Sequence, residues 1–204
     1  MKKTQENLIK LNNIFIMSLL VANVVAGKMV NIYGLIVPSA VVAYAITFLC
    51  TDIIGEIWGK DEANKTVKNG FIIQLFSLFL IFLALRLTPA DFAKDFNDKF
   101  QVVLGQSARM VIASLTAYLI SQANDVYIFH KLKDKCQGKH KWLRNNLSTM
   151  TSQLIDTAIF ITIAFYGVVP DLLWVIISQY TIKFILALID TPFFYYLTND
   201  KTNL

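Results

Sequence analysis

Eight ionisable residues stand inside or at the ends of long apolar runs: Lys28, Asp52, Glu56, Arg109, Asp125, Asp156, Lys183 and Asp190. A charge at the centre of a bilayer costs about 2.5–3.5 kcal/mol on insertion scales, so each is a functional suspect by default. Asp52 and Glu56 are four apart, on one helical face. Two carboxylates stacked in this way repel unless a cation, a proton or a donor-rich ligand lies beside them. Ser148, Ser152 and Asp156 form a second stripe at four-residue spacing, with Gln153 close by, and this asks for a polar cavity or a facing helix. Lys183 and Asp190 share a face two turns apart, and Gln179 precedes Lys183 by one turn. A lysine at that depth needs a carboxylate, and Asp52, Glu56 and Asp156 are all candidates. Arg109 and Lys28 lie near helix ends; snorkelling explains Arg109, and Lys28 either snorkels or faces the cavity mouth.

The chemistry implied is binding and carriage rather than covalent catalysis. No G-x-x-x-x-G-K-[ST] loop, H-E-x-x-H or G-x-S-x-G occurs, and no Cys/His cluster has zinc spacing. No catalytic residue, metal or cofactor is expected. An intramembrane aspartyl enzyme using Asp156 and Asp190 is the distant alternative. His130 and His140 fall in or beside a lysine-rich loop. Cys50 and Cys136 are expected to be free thiols, too few for a disulfide framework.

The elements that position these residues follow from composition. Of 204 residues, 55% are apolar and only 16% charged, against about 45–50% and about 25% in soluble domains. With helices of about 20 residues needed to cross a bilayer, the chain holds about six. The expected fold is all-α: a polytopic integral membrane protein forming a single transmembrane domain over 1–204. Its spans are expected at about 11–27, 35–57, 69–87, 101–125, 147–169 and 172–197. The Met-Lys-Lys start resembles a signal peptide, but Ala22-Asn23-Val24 is a poor cleavage site, so the first helix is read as retained. With an internal N-terminus, 13 basic residues face the cytoplasm and 4 face outward. That asymmetry puts both termini in the cytoplasm. The net charge of +5 is thus assigned to topology and anionic lipid rather than to nucleic acid. Ala22-x-x-x-Ala26 and Gly55-x-x-x-Gly59 are small-residue pairs that leave room for a homodimer.

These residues resemble the queuosine precursor transporter family, also called the vitamin uptake transporter family. The resemblance rests on Ala22 to Lys28, on Pro38, and on Leu49-Cys50-Thr51-Asp52-Ile53-Ile54-Gly55-Glu56-Ile57-Trp58-Gly59-Lys60 with Ala63. It continues through Leu143 to Thr149, Ser152 to Thr157, and Lys183 to Pro192. It implies a bacterial inner-membrane importer of queuosine precursors, which are 7-deazaguanine derivatives, or of queuine itself, for salvage into tRNA. A guanine-like ring presents a lactam N–H beside an amino group, which suits a carboxylate from Asp52, Glu56 or Asp156. Lys183, Asn145, Asn146 or Gln153 would donate to the ring carbonyl, and Asp190 belongs to the same candidate set. Tyr44, Phe48, Trp58 and Phe193 are the candidates to stack on the ring. The expected mechanism is a secondary carrier working by alternating access. The alternative is a substrate-binding membrane subunit energised by a separate ATPase, with Ala22-x-x-x-Ala26 as its docking face.

Overall fold

A computed structural model describes residues 1–135 and 141–198; side chains at 129–149 and at several other helical positions, Asp125 and Asp190 among them, lie outside the described set. Cys136 and His140 therefore fall outside it. The chain order is α1 (Gln5–Val25), β1 (Met29–Ile32), β2 (Leu35–Pro38), α2 (Val41–Trp58), α3 (Lys60–Arg86), a 3-10 turn (Asp91–Ala93), α4 (Lys94–Lys135), α5 (Lys141–Phe165) and α6 (Leu172–Thr198).

Local chemistry sets the ends. Thr4 caps α1, its Oγ1 accepting the Asn7 N–H at 3.3 Å. Asp171 does the same for α6, its Oδ1 accepting the Trp174 N–H at 3.0 Å. Helix α5 ends at Gly167, whose φ of +77° suits the left-handed residue that closes a helix. Arg109 of α4 reaches this end. Its Nε donates to the Ile163 carbonyl and its Nη2 to the Tyr166 carbonyl, both at 2.7 Å. The guanidinium thus satisfies orphan carbonyls and opposes the helix dipole, a role that snorkelling alone does not describe.

Four helices among the described residues are long and apolar enough to cross a membrane, α1, α2, α3 and Asp91–Ser121, and α5 and α6 contribute two shorter apolar segments, Met150–Phe165 and Leu172–Leu186. The described residues are all-helical apart from one hairpin, and the protein is a multi-pass membrane protein. Helix α3 exposes Ile72, Leu75, Phe76, Phe79 and Leu80. An apolar face of that kind is what lipid covers. Helix α4, at 42 residues, is roughly 60 Å long and outreaches the bilayer.

The apolar run beginning at Met29 divides. Residues 35–38, expected to open the second span, instead pair with 29–32 as an antiparallel ribbon, Met29 opposite Pro38 and Ile32 opposite Leu35. The reason is local. Tyr33 and Gly34 take φ of +51° and +91°, the two-residue turn whose twist matches a hairpin. The Asn31 Oδ1 accepts the Gly34 N–H at 2.8 Å. Val30, Ile32, Ile36 and Val37 favour the extended chain. The hairpin packs on α6, and the Trp174 Nε1–H donates to the Gly34 carbonyl at 3.3 Å.

At the opposite end of α2, one residue makes the turn into α3. Gly59 has φ of +100°, and its N–H still bonds the Gly55 carbonyl at 3.1 Å. Gly55 lies against Ala63 of the returning helix. The Gly55/Gly59 pair therefore builds a tight helical hairpin within the chain. Gly70 of α3 is needed for close approach, because a Cβ there would lie 2.6 Å from Phe15 Cε1.

Three apolar clusters hold the bundle, the smallest being Val37, Val41 and Ile182 at the hairpin. Leu8, Leu11, Phe15 and Leu19 of α1 pack with Cys50, Ile53 and Ile54 of α2. Towards the hairpin, Ala22, Ala26, Ala40, Ala113, Ala117 and Ala164 pack with Met110, Phe160, Ile161, Phe165 and Val175. Ala22 and Ala26 are fully buried there, so that pair lies inside the bundle rather than on a face a partner could dock.

Candidate functional site

All six helices line one cavity of about 620 Å³, within the size range of small-molecule sites. Helix α2 contributes a whole face: Tyr44, Thr47, Phe48, Thr51, Asp52, Gly55 and Glu56, spaced at three or four residues as one side of a helix requires. The hydroxyls of Thr47 and Thr51 donate to carbonyls of their own helix, at 2.7 Å to Tyr44 and 2.9 Å to Phe48. The carboxylates of Asp52 and Glu56 are exposed at the mouth, with Lys60 of α3 beside them.

Helices α5 and α6 bring the second charged group. Lys183 Nζ lies 2.9 Å from Asp156 Oδ2 and donates to Thr157 Oγ1 at 3.1 Å. The side chains are only 14% and 26% exposed, so each charge depends on the other. A part-buried charge left alone is far more costly than the pair. The Thr157 hydroxyl in turn donates to the Gln153 carbonyl at 2.8 Å. The ammonium also lies 5.9 Å from the centre of the Phe48 ring, a distance at which the ring face still attracts a cation.

The aromatic lining is larger than sequence reasoning supplied. Tyr44 meets Phe160 edge-on with centroids 6.2 Å apart, and Phe71 lies 4.5 Å from Tyr118. Such rings suit a flat apolar ligand face. The cavity abuts the alanine-rich cluster, where Ala117 and Phe160 belong to both. It opens beside Gly59, where Asp52, Glu56 and Lys60 are exposed.

Of the residues singled out from sequence, Asp52, Glu56, Gln153, Asp156, Lys183, Tyr44 and Phe48 meet in this cavity. Trp58 packs with the α1–α2 apolar cluster instead. Phe193, on α6, is exposed and does not line the cavity. The side chains of Asn145, Asn146 and Asp190 lie outside the described residues. Sequence reasoning missed Ser114, Tyr118 and Ser121 of α4, together with Asn64 and Phe71 of α3. The α4 group was visible as polar positions at i, i+4 and i+7, one helical face. Gln179 is also in the wall, at one turn from Lys183. Among the described residues no group of three or more His, Cys, Asp or Glu could hold a metal.

The formal charge of the wall follows from its ionisable side chains. Among the described residues, Asp52, Glu56 and Asp156 share the wall with Lys60 and Lys183. Carboxylates in a cavity wall accept hydrogen bonds from a donor-bearing ligand.

Residues 38–197 match the model of a family described as "Putative vitamin uptake transporter". A "Probable queuosine precursor transporter" of Bacillus subtilis is 35% identical over 178 residues, covering 85% of this chain and 77% of the relative. A protein of the same name from Haemophilus influenzae is 28% identical over 123 residues, covering 60% of this chain and 49% of the relative. A "Queuosine precursor transporter" of Escherichia coli is 27% identical over 137 residues, covering 67% of this chain and 59% of the relative. No solved structure matches the chain.

Proposed function

The chain belongs to the vitamin uptake transporter family, a family of transporters rather than enzymes, and from that premise we propose that it imports queuosine precursors across the bacterial inner membrane. The substrates are 7-deazaguanine derivatives, queuine among them, carried by alternating access without a partner ATPase. The observation that carries this reading is the cavity lined by all six helices, which is roomy enough for a substituted purine-like ring and has aromatic walls and hydrogen-bonding groups. The rings of Tyr44 and Phe48 offer faces for the substrate ring. Asp52 and Glu56, at the mouth, take an aminomethyl cation or the ring's donor pair.

With both termini cytoplasmic, as the basic residues favour, the Gly59 end faces the cytoplasm. The cavity is then inward-open, and the alanine cluster is the closed outer barrier. Transport requires that barrier to open while the mouth at Asp52 and Glu56 closes. The burial of Ala22 and Ala26 favours the autonomous carrier over an ATPase-energised subunit docked on that pair. The cavity is complete within one copy of the chain, so dimerisation is not part of the reading.

The test is uptake of a labelled deazaguanine precursor into liposomes holding only the purified protein, with binding measured in parallel. Saturable uptake is expected, and an imposed proton gradient then tests coupling. Asp52→Asn and Asp156→Asn are expected to abolish uptake while leaving folded protein in the membrane. Wild-type uptake by both variants would remove the carboxylates from the site. Binding without uptake would point to the ATPase-energised subunit.

A further inference from the structure

Gln179 stands on the cavity wall one turn before Lys183. Only 2% of the residue is exposed, and its Oε1 is buried with no hydrogen-bond partner. A buried acceptor left unpaired is costly. If the amide served only to join helices, it would bond to a neighbouring helix, and its oxygen does not. Gln74 of α3 is also buried and unpaired, but it does not line the cavity.

The charged pair beside it is partly satisfied from within. Lys183 spends donors on Asp156 and Thr157. The Thr157 hydroxyl donates to the Gln153 carbonyl. Asp156 commits Oδ2 to the lysine and retains its other oxygen. Among the described residues, the wall at this depth thus keeps one carboxylate oxygen and one primary amide for a ligand, beside the third Lys183 N–H and the Tyr44 hydroxyl. A primary amide presents a donor and an acceptor side by side in one plane. A lactam edge is the complement of that pattern: its ring N–H meets Oε1 and its ring carbonyl meets Nε2. An exocyclic amino group next to the lactam then falls to the carboxylate.

We propose that Gln179 is the specificity-determining residue of this carrier, reading the lactam edge of a guanine-like ring and rejecting rings that lack the N–H/C=O pair. The inference rests on the deazaguanine reading above. It predicts that selectivity for the ring resides on α6 and is separate from the acidic mouth on α2. A site built to hydrogen-bond a ligand discriminates strongly against an analogue without the group, because its own polar atoms are left unpaired.

The experiment uses purified full-length protein in liposomes, with binding and uptake measured together. The two probes are a 7-aminomethyl-7-deazaguanine and the matching 2-amino-7-deazapurine, which lacks both the ring carbonyl and the lactam N–H. Wild type is expected to favour the first by roughly 10- to 100-fold. Gln179→Met keeps volume and removes the amide. Its affinity for the lactam probe is expected to fall by about the same factor, with the analogue little changed, so that discrimination collapses to about threefold or less. Gln179→Asn, which keeps an amide on a shorter stem, is expected to retain the order of preference at lower affinity, and it serves as the folded control if Gln179→Met unfolds. Equal losses for both probes, or discrimination retained by Gln179→Met, would overturn the inference. Loss of the preference in folded Gln179→Asn would overturn it too. Wild type that binds both probes equally would overturn the inference alone. Wild type that binds neither would sink the deazaguanine reading, and the inference with it.

Discussion

The two ends of the cavity are built from opposite materials. Towards the hairpin, six alanines at 1% exposure or less pack with a few large apolar side chains. Beside Gly59, Asp52, Glu56 and Lys60 stand exposed around an open mouth. Alanine loses no rotamer freedom when buried and lets helices approach closely. A seam made of it separates and re-forms at little entropic cost. The charged mouth is solvated while water fills it, and its desolvation is costly when water leaves. One end is thus suited to part, the other to close over a ligand that neutralises it. For the carrier proposed above, the difference between the ends is what alternating access would use.

The largest effect is expected where the two ends meet, at the pair of Lys183 and Asp156. Lys183→Met strands a part-buried carboxylate and is expected to cut uptake at least 100-fold and lower the melting temperature in detergent. Asp156→Asn with Lys183→Met removes both charges. That double variant is expected to recover the melting temperature and not the uptake. Recovered uptake would make the pair a scaffold and leave the mouth as the whole site.

The next comparison is of access. In a background with Cys50→Ala and Cys136→Ser, a cysteine at Thr51 samples the mouth and one at Ala113 samples the seam. A membrane-impermeant thiol reagent applied from the Gly59 side is expected to label Thr51→Cys at least about tenfold faster, because burial suppresses thiol reactivity. Equal rates would mean that the seam is not closed.

Much of this contrast was legible in the sequence. The expensive residues of α2, α5 and α6 announced the cavity, because a membrane makes every unexplained charge conspicuous. What they did not reveal was pairing. Lys183 had three candidate carboxylates, and only the packing of α5 against α6 selects Asp156. The β-hairpin was hidden for a different reason. Met29 to Thr51 is uncharged throughout, so hydropathy reads it as one span, while the turn at Tyr33-Gly34 and the Pro38 stop are short-range signals. Trp58 shows the limit from the other side. It follows the acidic face of α2 by two residues, and that offset turns it into the α1–α2 core. Gln179 carries no charge, so cost arguments passed over it although its place beside Lys183 was visible.

Arg109 sharpens the contrast from the closed end. Its two hydrogen bonds to α5 carbonyls make it architectural, and Arg109→Leu is expected to lower stability by about 2 kcal/mol. Uptake per folded molecule is expected to stay within about twofold of wild type, since no cavity group is touched. Thermal unfolding in detergent and the liposome assay read the two quantities separately. A large loss of uptake from stable protein would make the hairpin end part of the site.

The smallest effect belongs to Trp174. Its indole N–H meets the Gly34 carbonyl at 3.3 Å on an exposed surface, where water competes for both partners. Trp174→Phe keeps most of the apolar contact and removes the donor. The expected cost is about 0.5 kcal/mol, at the low end for a hydrogen bond, since the freed carbonyl is resolvated. The hairpin is also held by Val37 and Val41 packing with Ile182, and by the Ser39 hydroxyl donating to the Val25 carbonyl at 2.8 Å. Loss of one exposed bond should therefore leave it in place. Hydrogen exchange at the Gly34 and Leu35 amides reports this directly. A rise of a few-fold fits a local tether. Exchange that becomes global across 29–38 would mean that the indole pins the hairpin to α6, and that the closed end is held by one bond rather than by its packed seam.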